Sequence, residues 1–379
     1  MSPSLKPVQK KQLTIFSVLY FIAAFAVLYF YGVNTGGEAF KYLLDAKSIA
    51  GGRPLNFNEF SYFFVVYSLF LSGFIKLKVS LLAVAIIQIV LSYGAAYCLY
   101  KLIVQKSANH FFGMVMFVCY LFCYPVQKWI FFIYSEGVHT SLVVIGFCIF
   151  IKMLDNFTGR NIFYFVALSL AITTTRPVGV LFLLAAYITF MLVCFTKMQY
   201  KIFGFSLAVG IVLCIAVLNS PVRYFINPDS LKRMELICMV PQESITADYS
   251  QFNREGLIGA FKVVKNDIGF SNFFKAGTKK LVLFFGFVRP YYSKKNNIFL
   301  AANWLFYPFA LIGIFFNRQK EFSIIKTFSI LLIFITAAGI FVTCDDWGNR
   351  FIAPIFPFLI VLAVLGSSVV LTKITKLKS

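Results

Sequence analysis

The sequence is poor in acid and poor in charge. It holds 14 Asp+Glu against 35 Lys+Arg, and 13% of its 379 residues are charged. Soluble domains carry about 25% charged and about 45–50% apolar residues, so this scarcity excludes an ordinary soluble fold. Several chemistries are missing as well. There is no GxxxxGK[ST] stretch, so no P-loop for a nucleotide. Neither GxSxG nor HExxH occurs, and no CxxC or Cys/His cluster indicates a metal. Asp345-Asp346 is not the DxD of a sugar-nucleotide site, so a cytoplasmic nucleotide-sugar donor is unsupported. No nucleic-acid motif accompanies the net charge of +21.

What remains is 60% hydrophobic, with 48 Phe and 20 Tyr. Such a chain is a polytopic all-α membrane protein, its aromatic residues facing lipid and forming interfacial belts. The basic residues lie between the apolar runs, where anionic lipid surfaces or phosphate-bearing lipids are the expected partners. Cys98, Cys119, Cys123, Cys148, Cys194 and Cys214 fall within apolar runs and read as packing residues. Cys238 and Cys344 fall in polar segments, where pairing outside the cytoplasm is open.

About ten membrane spans are predicted, at residues 13–31, 79–104, 111–124, 136–153, 162–173, 178–195, 202–218, 298–316, 324–342 and 351–371. The first follows a basic segment without a small-residue cleavage site and is expected to be retained. Residues 60–75 are too short for a span and are expected to lie in the interface or re-enter. Pro125 ends or kinks the third span. The short loops holding Lys101 and Lys106, Lys152 and Arg160, Lys197 and Lys201, and Arg318 and Lys320 fall on one side, with both termini. That side is expected to be cytoplasmic. The opposite side receives a first loop at 33–78, the corner at Arg176, a long loop at 219–297 and the segment 343–350. The long loop has twelve Lys+Arg and six Asp+Glu; long segments translocate largely regardless of charge.

The expected extracytoplasmic side also collects the chemistry. A helix starting at Gly36-Gly37 places Glu38, Tyr42 and Asp45 on one face, with Phe40, Leu43 and Leu44 opposite. Glu136 and His139 lie one turn apart at the head of the fourth span. Arg176 precedes Pro177 at a corner, and Asp345, Asp346 and Arg350 precede the last span. Ionisable groups at membrane depth line a cavity or pair with one another. The structural reading pairs Glu136 or Asp346 with Arg176 or Arg350 and bonds His139 to a backbone carbonyl. The functional reading makes the same groups a site. For Lys279, Lys280, Arg289, Lys294 and Lys295 the expectation is a solvated face or anionic lipid heads, with donor binding as the weaker alternative.

The order of these features resembles a family. Glu38-x-x-x-Tyr42-x-x-x-Ala46 is followed by Gly51-Gly52-Arg53-Pro54, then Tyr134-Ser135-Glu136. Thr175-Arg176-Pro177-Val178-Gly179 comes next, and last Asn349-Arg350-Phe351-Ile352-Ala353-Pro354-Ile355-Phe356-Pro357. The series is similar to the GT-C membrane glycosyltransferases, in particular the group of protein O-mannosyltransferases and lipid A aminoarabinose transferases, over roughly residues 10–370. The resemblance implies one transmembrane domain over 1–379, with short juxtamembrane helices outside the cytoplasm. It implies an inverting transferase, metal-independent or metal-variable, without an organic cofactor. The donor would be a sugar on a polyprenyl phosphate, and the acceptor an extracytoplasmic glycan, lipid or protein. Glu38 stands where the family usually presents Asp, and is the expected general base with Asp45 as alternate. Arg176, Arg350 and His139 are expected on the donor phosphate, and Tyr42, Glu136 and Asp346 on the substrate. Two other classes remain: a lipid or lipid-linked glycan transporter, which would favour inverted repeats that the sequence does not display, and a polysaccharide polymerase or ligase.

Overall fold

The computed structural model describes residues 7–53, 61–199, 264–289, 292–345 and 348–378, together with 201, 202, 204, 207, 208, 210, 236, 261 and 262. The described residues form helices and isolated bridge residues, among them the pair Asn34 and Phe132, with no strand. Seven of their helices are long and apolar enough to cross a membrane, or eight if one bent pair is a single span. The chain is an integral multi-pass membrane protein. The predicted span at 202–218 lies largely outside the described residues.

Contacts divide the chain into two units. The first comprises Met1–Ala186, Asn303–Ile330 and Ala353–Ser379. It opens with α1 (Pro7–Tyr31), the short α2 (Ala39–Ala50) and α3 (Val65–Lys76). At 12 residues α3 is about 18 Å long, well short of the ~30 Å apolar core, so residues 60–75 do not make a complete span. The long α4 (Leu81–Ser107) follows, then α5 (His110–Leu121) and α6 (Tyr124–Gln127). The chain bends by 51° between α5 and the α6 segment, where Pro125 stands.

A bend at this depth frees backbone groups that must find partners inside the protein. Two buried glutamines serve them. Gln88 Nε2 donates to the carbonyls of Ile130 and Phe132, both at 3.0 Å. Gln127 Nε2 donates to the Tyr120 carbonyl at 3.0 Å, and its Oε1 accepts from the hydroxyl of Tyr20. α7 (Ser135–Asp155), α8 (Gly159–Thr175) and the start of α9 (Gly179–Thr196) complete this part.

The same unit also contains α12 (Phe306–Phe316) and α14 (Phe356–Lys378). These two pass so closely that a Cβ at Gly313 would collide with the Leu362 carbonyl, and one at Gly366 with the Phe309 carbonyl. Small residues at such a crossing let backbones approach, the common way for apolar helices to associate in lipid. Phe147 on α7 stacks among Phe328 and Phe358.

The second unit comprises Tyr187–Ala302 and Leu331–Ile352. Its described helices are the rest of α9, α10 (Phe270–Gly286), α11 (Lys294–Ala301) and the end of α13 (Ser323–Val342).

Candidate functional site

The site builds up from the first loop. Asn34 pairs its backbone with the link before α7: its N–H donates to the Phe131 carbonyl and its carbonyl accepts from Ile133, both at 2.9 Å. Gly36-Gly37 then turns the chain into α2. Gly37 has φ +61, and a Cβ there would fall on the hydroxyl of Tyr134. That hydroxyl fills the turn, donating to the Gly36 carbonyl and accepting from the Glu38 N–H, both at 3.0 Å. The start of α2 is therefore fastened to the residue that precedes α7.

The buried stripe of α2 is Ala39, Tyr42 and Ala46, packed with Tyr67, Leu71, Ile133 and Val138. Phe40 is 70% and Leu44 57% exposed. An exposed apolar face beside the end of a span is the pattern of a helix lying in the membrane interface. Glu38 and Asp45 stand half-buried at the margins of the Tyr42 stripe. The Glu38 carboxylate accepts from Lys41 at 2.7 Å. Burial raises the Asp45 carboxyl above its ordinary range, and Lys41 offsets part of the rise. The Tyr42 hydroxyl lies 3.3 Å from Ser135 Oγ. Burial holds it protonated far beyond the ordinary phenol range; the Glu136 charge adds to this, and Arg176 opposes it.

Beneath α2, the first turn of α7 meets the end of α8. Glu136 and Arg176 form an ion pair, both side chains buried. His139 is buried beside them and bonds the Ile172 carbonyl. Its Nδ1 has no partner among the described residues. The Arg176 N–H reaches the same carbonyl at 3.4 Å. His139 thus lies against the last turn of α8, from which Arg176 projects. The hydroxyls of Thr140 and Ser169 are likewise buried without a protein partner.

Of the predicted site residues, Glu38, Tyr42, Asp45, Glu136, His139 and Arg176 all belong to the first unit. Arg350 belongs to the second unit, and Asp346 lies outside the described residues. Of the structural pairings left open by sequence, the first unit takes Glu136 with Arg176. The second takes a pair that sequence did not suggest, Arg289 with Asp345, both fully buried. Arg289 also donates to the Leu283 carbonyl. Lys280 is buried too and donates to the Thr343 carbonyl at 2.6 Å. The expectation that Arg289 and Lys280 form a solvated or lipid-binding face is therefore wrong. They close the inside of the unit by capping carbonyls and meeting a carboxylate. Cys344 is disulfide-bonded. The neighbouring Asp345 N–H bonds the carbonyl of Leu236, two residues before Cys238, at 3.0 Å.

Sequence reasoning missed Lys41 as the partner of Glu38, although i,i+3 spacing on a helix was a legible signal. It also missed the Tyr134 hydroxyl in the Gly36-Gly37 turn, 98 residues away from Gly36, for which no local pattern exists. Among the described residues no group of three or more His, Cys, Asp or Glu is placed to hold a metal. No family model, curated protein or solved structure matches the chain.

Proposed function

We propose that the chain is a membrane glycosyltransferase that moves a sugar from a polyprenyl-phosphate donor to an extracytoplasmic acceptor. One observation carries this reading. The loop bearing Glu38 and Asp45 is fastened by Asn34 and Tyr134 onto the head of α7, where Arg176 is buried beside Glu136. Such a transfer needs a base and a phosphate-binding cation, and the candidates Glu38, Asp45 and Arg176 belong to one unit.

The acceptor oxygen attacks the anomeric carbon, and its proton passes to the Glu38 carboxylate, with Asp45 as the alternate base. General-base help of this kind is worth about 10²–10⁴-fold. The bond from the anomeric carbon to the phosphate oxygen breaks, and its electron pair stays on the lipid phosphate. Arg176, in a site of low dielectric, stabilises that charge. Tyr42 and Glu136 orient the substrate. The disulfide at Cys344 supports an extracytoplasmic position for its own segment, because disulfides persist in oxidising compartments. The basic short loops support the same orientation.

The test is transfer from polyprenyl-phosphate sugars by protein reconstituted in vesicles. Glu38→Gln is expected to abolish transfer while insertion and folding stay normal. Full activity in that variant removes Glu38 as the base. Movement of the lipid across the bilayer with no change in covalency would establish a transporter instead.

A further inference from the structure

A second site lies at the other end of the first unit. A cavity of about 180 Å³ opens between the last turn of α4, the start of α5, the segment before α13, and α14. It belongs to the side that carries the basic short loops. Ser107, Asn109, Gln319, Ser368 and Thr372 supply its polar lining, above an apolar floor that includes Phe322 and Leu365. An apolar floor with a polar mouth at the ends of membrane-crossing helices suits an amphiphile whose head sits at the interface.

The lining defines that head. The hydroxyls of Ser107, Ser368 and Thr372 each donate to a carbonyl of their own helix, at 2.7, 2.7 and 2.8 Å. Ser107 Oγ already accepts from the Asn109 N–H at 3.1 Å, whereas the Ser368 and Thr372 oxygens can still accept, so the ligand should bring hydroxyl donors. Asn109 uses its side-chain carbonyl to cap α5, accepting from Phe111 at 2.9 Å. Its amide N–H groups, with those of Gln319, are donors for an anion. The flanking charge has the matching sign. Lys106 precedes Ser107, Arg318 and Lys320 bracket Gln319, and Lys373 follows Thr372. Against these four cations stand Asp155, which pairs with Lys106, and Glu321.

We propose that this cavity binds the head of an anionic phospholipid bearing hydroxyl groups, such as phosphatidylglycerol, from the adjoining leaflet. Basic pockets between membrane helices on the cytoplasmic side are established places for anionic lipid heads. A cavity of about 180 Å³ has room for a small polar head group. The proposal is independent of the glycosyltransferase reading, since it uses none of that site's residues.

The experiment is thermal unfolding of the full chain in a neutral detergent. Phosphatidylglycerol, phosphatidylcholine of the same acyl chains, or inorganic phosphate is added. Phosphatidylglycerol is expected to raise the unfolding midpoint by roughly 2–5 °C, and the other two to leave it in place. Ser368→Phe fills the cavity and should remove the shift. Gln319→Glu alters only an exposed position, folds normally, and should remove most of it. An equal shift in wild type and both variants would mean general lipid solvation and would overturn the proposal. So would an equal response to phosphatidylcholine. A full response to inorganic phosphate would overturn it too, by showing a site for a soluble anion.

Discussion

Each unit contains a buried arginine paired with a buried carboxylate, and the two pairs have different surroundings. Arg289 and Asp345 are both fully buried, and Arg289 also caps the Leu283 carbonyl. Nearby, Lys280 is spent on Thr343, and Asn349 on the Phe287 carbonyl at 2.8 Å. These contacts close protein onto protein, although Arg289 Nε and Asn349 Oδ1 are buried without a partner among the described residues. Arg176 and Glu136 sit under a half-exposed helix with two carboxylates, near buried polar atoms of His139, Thr140 and Ser169 that lack partners among the described residues. Buried polar atoms cost free energy unless something satisfies them. Both regions leave such atoms, but only the first sets them beneath a partly exposed helix that carries two carboxylates. A buried ion pair alone therefore says little about function; what surrounds it separates a fastener from a site.

Replacing both members of each pair with apolar residues gives the sharpest contrast. Exchanging a buried ion pair for well-packed apolar residues is often neutral or stabilising by about 1–4 kcal/mol. Arg289→Met with Asp345→Leu should leave the protein folded and transfer unchanged. Arg176→Met with Glu136→Leu should also leave it folded, but lower transfer by roughly 10³-fold, the scale of losing a preorganised charge-stabilising group. Activity and unfolding measured on both double variants decide this. Equal losses of activity would erase the distinction between the two regions.

Breaking one pair by half is the next largest effect. Asp345→Ala strands Arg289 in the interior and should cost about 3–5 kcal/mol, read as a lost yield of folded protein in detergent. A smaller effect is expected at Asp45. Burial raises its carboxyl pKa, so a base at Asp45 gains activity as pH rises through that raised value and loses it below. Asp45→Asn should flatten this acid limb of the pH–rate profile. A limb that persists in the variant assigns the base to Glu38. The smallest is at His139, whose ring faces the Ile172 carbonyl at the end of α8. Gln can carry an N–H donor about as far as the ring does and Asn is too short, so His139→Gln should keep donor affinity while His139→Asn weakens it several-fold. Identical behaviour of the two would show that the ring acts by other means than placing Arg176.

Much of the first region was legible in the sequence. Glu136 and His139 shared a face by helical spacing, Arg176 was marked by Pro177, and the Gly36-Gly37 turn set the start of α2 close to where it lies. The face of α2 was readable too, but not that Phe40 and Leu44 would stay exposed, because a helical period does not say which face finds a protein partner. The second region was not legible. Lys280 and Arg289 lie in a basic segment whose composition reads as solvated, and only long-range contacts reveal that they are buried. Gln88 and Gln127 escaped notice for a similar reason: an amide inside an apolar run gives no sign of which distant carbonyl it will serve.

The central claim is that the first unit transfers sugar from a lipid phosphate using the loop carboxylates above Arg176. Its most direct test is the yield of glycosylated acceptor and free polyprenyl phosphate in vesicles. Wild type would be compared with the double variant Glu38→Gln/Asp45→Asn at equal insertion. The account predicts product from wild type and a fall of at least about 10²-fold in the variant; undiminished transfer without either carboxylate would contradict it.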